Sequence, residues 1–180
     1  MSKRALFLDR DGVINIDYGY VHTVENFQFV DGIFELCMSA INKNYLIIVI
    51  TNQAGIGRGL YSTSEFERLT EWMCNQFLLE GISISKVYHS PYHPVYGLGK
   101  YKKDDSSRKP NPGMLLQAQK ELDVDLGKSI FIGDKSTDMQ AGISAGIGYN
   151  ILLGSSDLQG CLELGSIIYV STLKDSKIYL

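Results

Sequence analysis

The chain has 180 residues, 44% of them hydrophobic, and its 17 Lys and Arg against 20 Asp and Glu give a formal charge of −3. That length and apolar content suit one domain over residues 1–180 with a sizeable core, and 11% aromatic and 21% charged residues exclude disorder. Mild acidity argues against a nucleic-acid module, and the longest apolar run, Tyr45 to Ile50, is far short of the roughly 20 residues of a membrane span.

Met1-Ser2-Lys3-Arg4 leads straight into a strand-like run, Ala5 to Leu8, so we expect no secretory signal and a cytoplasmic protein. An irregular stretch, about 12–30, follows. Ile33, Cys37, Ala40 and Ile41 then hold the i, i+4, i+7, i+8 stripe of a helix. Leu46 to Ile50 reads as the second strand. Ser62 and Glu65 form a capping box for a helix that buries Phe66, Leu69, Met73 and Phe77. A third strand is expected over Lys86 to His89. The segment 90–110 mixes Lys100, Lys102 and Lys103 with Asp104 and Asp105, and reads as a solvated loop of near-zero charge. Asn111 as cap and Pro112 at the first helical position open a helix through Leu115, Leu116 and Leu122. Strands at Ser129–Ile132, Tyr149–Leu153 and Ile167–Val170, with a helix at Thr137–Ala145, complete the pattern.

The strands are short, rich in Ile, Val and Leu, and lack polar alternation, as strands buried on both faces do. Alternation with helices predicts an α/β fold, a three-layer Rossmann-like parallel sheet with helices on both faces. Ligands then bind beyond the carboxyl ends of the strands. Cysteines at 37, 74 and 161 suit neither a disulfide framework nor a metal knuckle, and Cys37 and Cys74 fall on apolar helical stripes. Trp72 and most tyrosines read as packing, and His22, His89 and His93 as loop or packing residues.

Polar residues cluster where such a sheet would bind ligand. Asp9-Arg10-Asp11-Gly12 follows the first strand and Thr51-Asn52-Gln53 the second. Arg108-Lys109-Pro110 precedes a helix, and Gly133-Asp134-Lys135 follows the fourth strand, with Asp138 one turn on. Converging carboxylates repel unless a cation relieves them, and oxygen-only ligands favour Mg²⁺ shared with a phosphate. Lys and Thr beside them would steady the phosphoryl oxygens. One Asp can attack phosphorus, and a second, two residues on, can serve as a separate acid and base. Gly12 lets the backbone approach closely. Each motif also has a bland reading: Asp9 and Asp11 as a turn pair, Thr51 as a helix cap, Arg108 and Lys109 as a solvated basic pair. Asp138 reads as a structural partner of Lys109 or of the metal ligands.

Asp9-x-Asp11-Gly12, Thr51, Lys109 and Gly133-Asp134-x3-Asp138 resemble, in order, the four motifs of the haloacid dehalogenase-like (HAD) phosphohydrolases. Longer stretches, among them Asp17-Tyr18-Gly19-Tyr20-Val21-His22 and Arg108-Lys109-Pro110-Asn111-Pro112-Gly113-Met114, narrow this to the D-glycero-D-manno-heptose 1,7-bisphosphate phosphatases and their histidinol-phosphate phosphatase relatives. The likeness spans roughly residues 4 to 153. It implies a HAD-like domain without a separate cap and an Mg²⁺-dependent phosphatase acting on a small sugar phosphate, as monomer or small homo-oligomer. The product would be a heptose 1-phosphate for a lipopolysaccharide or capsule precursor.

By the same resemblance Asp9 is the nucleophile, Asp11 the acid/base, and Thr51 and Lys109 stabilise the transferring group. Asp9, the backbone oxygen of Asp11, and Asp134 hold Mg²⁺. Asp17, Tyr18, Gly19, Tyr20, Asn52, Gln53, Ala54, Arg108 and Lys135 contact substrate, with Arg108 suited to grip a second phosphate. Many relatives carry a structural zinc on Cys and His just before Arg-Lys-Pro. Here those positions are Ser90, Tyr92, Asp105 and Ser107, so structural zinc is not expected and the loop must hold itself. Two other readings stay open: a histidinol-phosphate or other small sugar or nucleotide phosphate phosphatase, and a phospho-accepting receiver-like module.

Overall fold

The computed structural model describes residues 2–155 and 157–180. Six strands, β1 (Arg4–Leu8), β2 (Tyr45–Asn52), β3 (Ile84–Ser90), β4 (Ile130–Gly133), β5 (Tyr149–Leu153) and β6 (Ile167–Val170), form one parallel sheet in the order β3-β2-β1-β4-β5-β6. The helices are α1 (Ile33–Asn42), α2 (Ala54–Gly57), α3 (Thr63–Leu79), α4 (Gly113–Leu122), α5 (Ser136–Ala145) and α6 (Leu158–Cys161). The chain moves outward from β1 to β3, then returns to lay β4 on the other side of β1. That reversal opens the crevice in which doubly wound sheets bind ligands. It also puts the carboxyl ends of β1, β2 and β4 side by side.

Alternate strand residues feed two cores. Leu6, Leu8, Ile47, Val49 and Ile132 pack with Ile33, Leu36 and Cys37 of α1 and Leu69, Met73 and Phe77 of α3. Ala5, Phe7, Ile48, Ile50 and Phe131 pack on the opposite side with Met114, Leu115 and Ala118 of α4 and Ala141 of α5. Each Leu, Ile, Val, Met or Phe among them contributes about 1.5–3 kcal/mol when fully buried. A polar residue on either face would forfeit that, which is why the strands read as unbroken apolar runs. Among the described residues no helix is long and apolar enough to cross a membrane.

The capping box of α3 is as predicted: Glu65 N donates to Ser62 Oγ at 3.2 Å and Ser62 N to Glu65 Oε2 at 2.7 Å. The start of α4 differs. Its cap is Pro112, and Asn111 instead donates to Asp105 O at 3.0 Å and to Asp104 Oδ1 at 3.2 Å, tying down the preceding loop. The stretch 12–30 is also better ordered than its lack of period suggests. Val13, Ile14, Val21 and Phe27 are buried, and Phe27 and Phe29 meet Trp72 at ring-centroid distances of 5.4 and 5.8 Å. These contacts anchor the segment that carries Asp17 to Tyr20 over the sheet end.

Candidate active site

Lys109 is buried at the centre of the site. Its Nζ lies 2.8 Å from Asp9 Oδ1 and 2.6 Å from Asp138 Oδ1, and donates to Ile50 O at 2.9 Å, so its three protons have three acceptors. Asn52 fixes its backbone from both sides: Lys109 N donates to Asn52 Oδ1 at 3.1 Å and Asn52 Nδ2 to Lys109 O at 3.0 Å. Asp138 has a second task. Its Oδ2 accepts the amides of Asp134 and Lys135 at 3.2 and 3.0 Å, pinning the turn that opens α5. A side chain at Gly133 would put its Cβ 2.3 Å from Asp138 Cβ, so only glycine allows this approach.

Asp11 sits in a cradle of donors. Arg10 Nη2 reaches both carboxylate oxygens at 2.9 Å and also Val21 O at 2.6 Å. Asn15 Nδ2 and Gln53 Nε2 add bonds of 3.0 and 3.1 Å. Gln53 gives its other proton to Thr51 Oγ1 at 2.8 Å and accepts from Tyr61 OH at 2.6 Å. Thus Thr51 and Asp11, 40 residues apart in the chain, share one amide. Arg10 is only 1% exposed, which is costly for a guanidinium unless its charge is met, and Asp11 meets it.

Asp9, Asp11, Asn52, Gln53, Lys109 and Asp138 floor a cavity of about 420 Å³ whose walls include Asp17, Gly19, Tyr20, Ala54, Arg108 and Lys135, with Thr51 and Asp134 just outside its lining. Asp17 Oδ2 and Lys135 Nζ, 3.0 Å apart, span its rim. Burial opposes charge on Asp17, but hydrogen bonds from Lys135 and Gly19 N hold its carboxyl below the usual range. Arg58 bonds Tyr20 OH and lies 5.1 Å from the ring centroids of Tyr20 and Tyr96, joining two loops across the mouth. The Tyr18 ring lies outside the cavity walls, 61% exposed, with its hydroxyl on Gln28. Gln53, Asn52 and Thr51 direct their polar groups at neighbours in the floor. Sequence reasoning missed Asn15, Arg58, Tyr61 and Thr137; of these, Asn15 and Thr137 fall within the stretches that carry the family resemblance, and Arg58 and Tyr61 do not.

Carboxylate oxygens of Asp9, Asp134 and Asp138 all lie within 4.8 Å of one another. Burial pushes Asp9 up to about 8 despite Lys109, with Asp138 and Asp134 adding to the rise. Burial likewise raises Asp134 to about 6 against the pull of Lys135. Crowded carboxylates of this kind are relieved by a hard cation, and an all-oxygen set fits Mg²⁺. Both oxygens of Asp138 already accept hydrogen bonds, and the Asp11 carboxylate is turned into its donor cradle. Asp9 and Asp134 are therefore the carboxylates suited to the ion. Gly12, at φ +91°, lies against this set, and a Cβ there would stand 2.2 Å from Asp134 Oδ2. Gly12→Ala is expected to cost about 1–2 kcal/mol through the left-handed backbone alone. By displacing Asp134 it should also weaken Mg²⁺ activation at least about tenfold. Thermal melts and Mg²⁺ titrations of activity check both.

Residues 106–154 match the HAD-hydrolase-like family. D-glycero-alpha-D-manno-heptose-1,7-bisphosphate 7-phosphatase of Burkholderia mallei (strain ATCC 23344) is 55% identical over 157 residues, covering 87% of this chain and 83% of that one. The chain belongs to the heptose-1,7-bisphosphate phosphatase family of HAD-like hydrolases. D-glycero-beta-D-manno-heptose-1,7-bisphosphate 7-phosphatase of Vibrio cholerae serotype O1 is 45% identical, over 85% of this chain and 82% of that one. Among solved structures, D,D-heptose 1.7-bisphosphate phosphatase from B. bronchiseptica, complexed with magnesium and phosphate, shares the fold with a TM-score of 0.86. It is 24% identical, over 97% of this chain and 96% of that one.

The segment 90–107 does not offer the zinc donors that the resemblance implies for many relatives. Ser90, Tyr92, Asp105 and Ser107 offer oxygen alone, and they do not fit a tetrahedral zinc, which takes thiolates and imidazoles. The neighbouring imidazoles are engaged elsewhere: the His89 ring packs 4.4 Å from Phe66, and His93 Nδ1 accepts the amides of Val95 and Tyr96. As its composition suggested, the loop is largely solvated, with Lys100, Lys102, Lys103 and Asp104 exposed, but it is tied internally. Asp105 pairs with Lys103 at 2.7 Å and accepts from Ser107 Oγ at 2.6 Å.

Proposed function

We propose that this chain is an Mg²⁺-dependent phosphatase that removes the 7-phosphate of D-glycero-D-manno-heptose 1,7-bisphosphate. It would act within one capless HAD-like domain over residues 1–180, in the cytoplasm, as a monomer or small homo-oligomer. The observation that carries the chemistry is two aspartates given different tasks by their neighbours. Asp9 lies against Lys109 and the other carboxylates, while Asp11 is held apart by Arg10, Asn15 and Gln53. Relatives named for the substrate at 45–55% identity support the sugar.

In the first step an Asp9 carboxylate oxygen bonds to phosphorus as the bond from phosphorus to the sugar oxygen breaks. Asp11 gives its proton to the departing oxygen. In the second step water attacks the aspartyl-phosphate, Asp11 takes the water's proton, and phosphate leaves as the Asp9 carboxylate is restored. Lys109, with the Thr51 hydroxyl nearby, offsets charge on the phosphoryl oxygens. Mg²⁺, when bound by Asp9, the backbone oxygen of Asp11 and Asp134, supplies further positive charge to the phosphoryl group. Asp11 separates this chemistry from a receiver module, which stores its aspartyl-phosphate. Arg108 and Lys135 on the rim suit the 1-phosphate and sugar, with Asp17, Gly19, Tyr20 and Ala54 on the cavity wall as further contacts, while Tyr18 is turned onto Gln28.

Phosphate release would be measured with both anomers of the bisphosphate, histidinol phosphate and an aryl phosphate. The expected result is a kcat/KM for a heptose bisphosphate at least about 100-fold above the others, a gap of about 2.7 kcal/mol. Higher identity to the relative named for the alpha anomer makes that anomer the expected better substrate. Preference for histidinol phosphate would overturn the sugar assignment and leave the chemistry standing.

A further inference from the structure

The segment between β3 and α4 carries two pocket residues, Arg108 at the rim and Lys109 in the floor, and touches the pocket mouth through Tyr96 and Arg58. Both ends of the segment meet in one polar knot. Lys103 Nζ lies 2.7 Å from Asp105 Oδ2 and 4.2 Å from the ring centroid of Tyr92. Asp105 Oδ1 accepts Ser107 N at 3.0 Å and Ser107 Oγ at 2.6 Å. Ser107 Oγ also lies 3.0 Å from Ser90 Oγ, which is fully buried at the end of β3. A hydroxyl has one proton, so Ser107 gives its own to the carboxylate and accepts that of Ser90.

The knot therefore joins residue 90 to residue 107 through the Ser90–Ser107 hydroxyl bond, charge-assisted bonds tie Ser107 and Lys103 to Asp105, and the Lys103 ammonium reaches back to Tyr92. Burial of Asp105 opposes its charge, yet Lys103 and Ser107 hold its carboxyl down to about 2, so the pair stays ionised across the working range. Arg108 is bound directly to this knot. Its Nη1 donates to Tyr92 O at 3.0 Å and its backbone N to Asp105 O at 2.9 Å. All four positions at which family resemblance predicts zinc ligands fall within the knot, and the cation among them is an ammonium.

We infer that Lys103 is a positioning residue: its ammonium, gripped by Asp105 and Tyr92, ties the two ends of segment 90–108 together and so sets Arg108 at the pocket rim. In this chain an internal side-chain cation takes the cross-linking place of a metal. The functional half of the inference rests on the bisphosphate reading, since Arg108 matters most for a substrate with a second phosphate.

Lys103→Met and Lys103→Arg would be compared with the unaltered protein by hydrogen exchange of amides 91–108, and by kinetics on the bisphosphate and an aryl phosphate. For Lys103→Met we expect exchange in that segment to quicken at least about tenfold. KM for the bisphosphate should rise about 5- to 20-fold, with kcat and aryl-phosphate turnover within about twofold. Lys103→Arg, which keeps the charge and can still pair with the carboxylate and stack on Tyr92, should recover most of both effects. Unchanged exchange in Lys103→Met would overturn the cross-link. Faster exchange with unchanged KM would overturn its coupling to Arg108. About one zinc per chain by elemental analysis would overturn the metal-free cross-link. Failure of the unaltered protein to turn over the bisphosphate would instead overturn the substrate reading, leaving the exchange result to judge the knot.

Discussion

Asp9→Asn is expected to lower kcat by at least about 10⁴-fold at saturating Mg²⁺ and bisphosphate, because an amide oxygen does not form the aspartyl-phosphate. The fold should survive. Lys109 would keep Asp138 Oδ1 and Ile50 O, and Asn would still offer its oxygen where Asp9 Oδ1 now accepts. Asp11→Asn is expected to fail differently. It keeps the nucleophile but loses the proton carrier, for a loss of about 10²–10⁴-fold with the sugar substrate. An aryl phosphate has a leaving group that departs without a proton, so its first step should persist while hydrolysis of the intermediate stalls. Rapid-quench measurement should then give a burst of about one aryl alcohol per chain. Asp9→Asn retaining a tenth of the activity, or Asp11→Asn turning over aryl phosphate steadily without a burst, would each overturn the assigned roles. Part of the Asp11→Asn loss would come from Arg10, whose buried guanidinium keeps Val21 O but loses its carboxylate charge.

The sheet and the location of the site were legible because their physics is local. Strands buried on both faces must be apolar throughout, and polar residues at their carboxyl ends have one crevice to enter, so Asp9, Thr51 and Asp134 could be placed from the sequence. What could not be read depends on contacts distant in the chain. Phe27 and Phe29 meet Trp72, more than 40 residues on, and no helical or strand period announces a loop pinned that way. Arg10 stood in a motif, but its bond to Val21 O arises only when the chain doubles back over the sheet end. Gln53 read as a substrate contact, yet its amide bonds Asp11, Thr51 and Tyr61, partners drawn from three elements. Lys103 read as surface charge and is exposed, but composition could not show that its partner Asp105 is tied to Ser107 or that its ammonium lies over Tyr92. Asn111 and Pro112 carried a valid capping signal, and the loop at 104–106 competed successfully for the Asn side chain.

Asp134→Asn is expected to stabilise the metal-free protein while abolishing its response to Mg²⁺. Asp9 and Asp134 stand at about 8 and about 6 in the folded chain against an ordinary 3.8, so the folded state binds more protons than the unfolded one between those values. Stability then falls as pH rises, because its slope follows protons bound unfolded minus protons bound folded, which is negative here. His89 and His93, held below 6.5 by burial, add stability as pH rises toward that value and oppose this slope, so metal-free Tm should decline chiefly from about pH 6.5 to about pH 8. Asp17 and Asp105, held below their ordinary value, contribute stability that is lost only on acidification below that range and do not reverse the trend. For Asp134 alone the rise corresponds to an upper bound on the order of 3 kcal/mol at pH 8, of which removing the charge should recover about 1–3 kcal/mol. In a chain of this size that is a Tm gain of about 2–10 °C. Mg²⁺ competes with the same protons, so in the unaltered protein its stabilisation should be weak near pH 5 and strongest near pH 8. Calorimetry of both proteins with and without Mg²⁺ at the two pH values decides it. A lower Tm for metal-free Asp134→Asn at pH 8, or an Mg²⁺ effect larger at pH 5 than at pH 8, would show that the carboxylates are not the strained group the ion relieves.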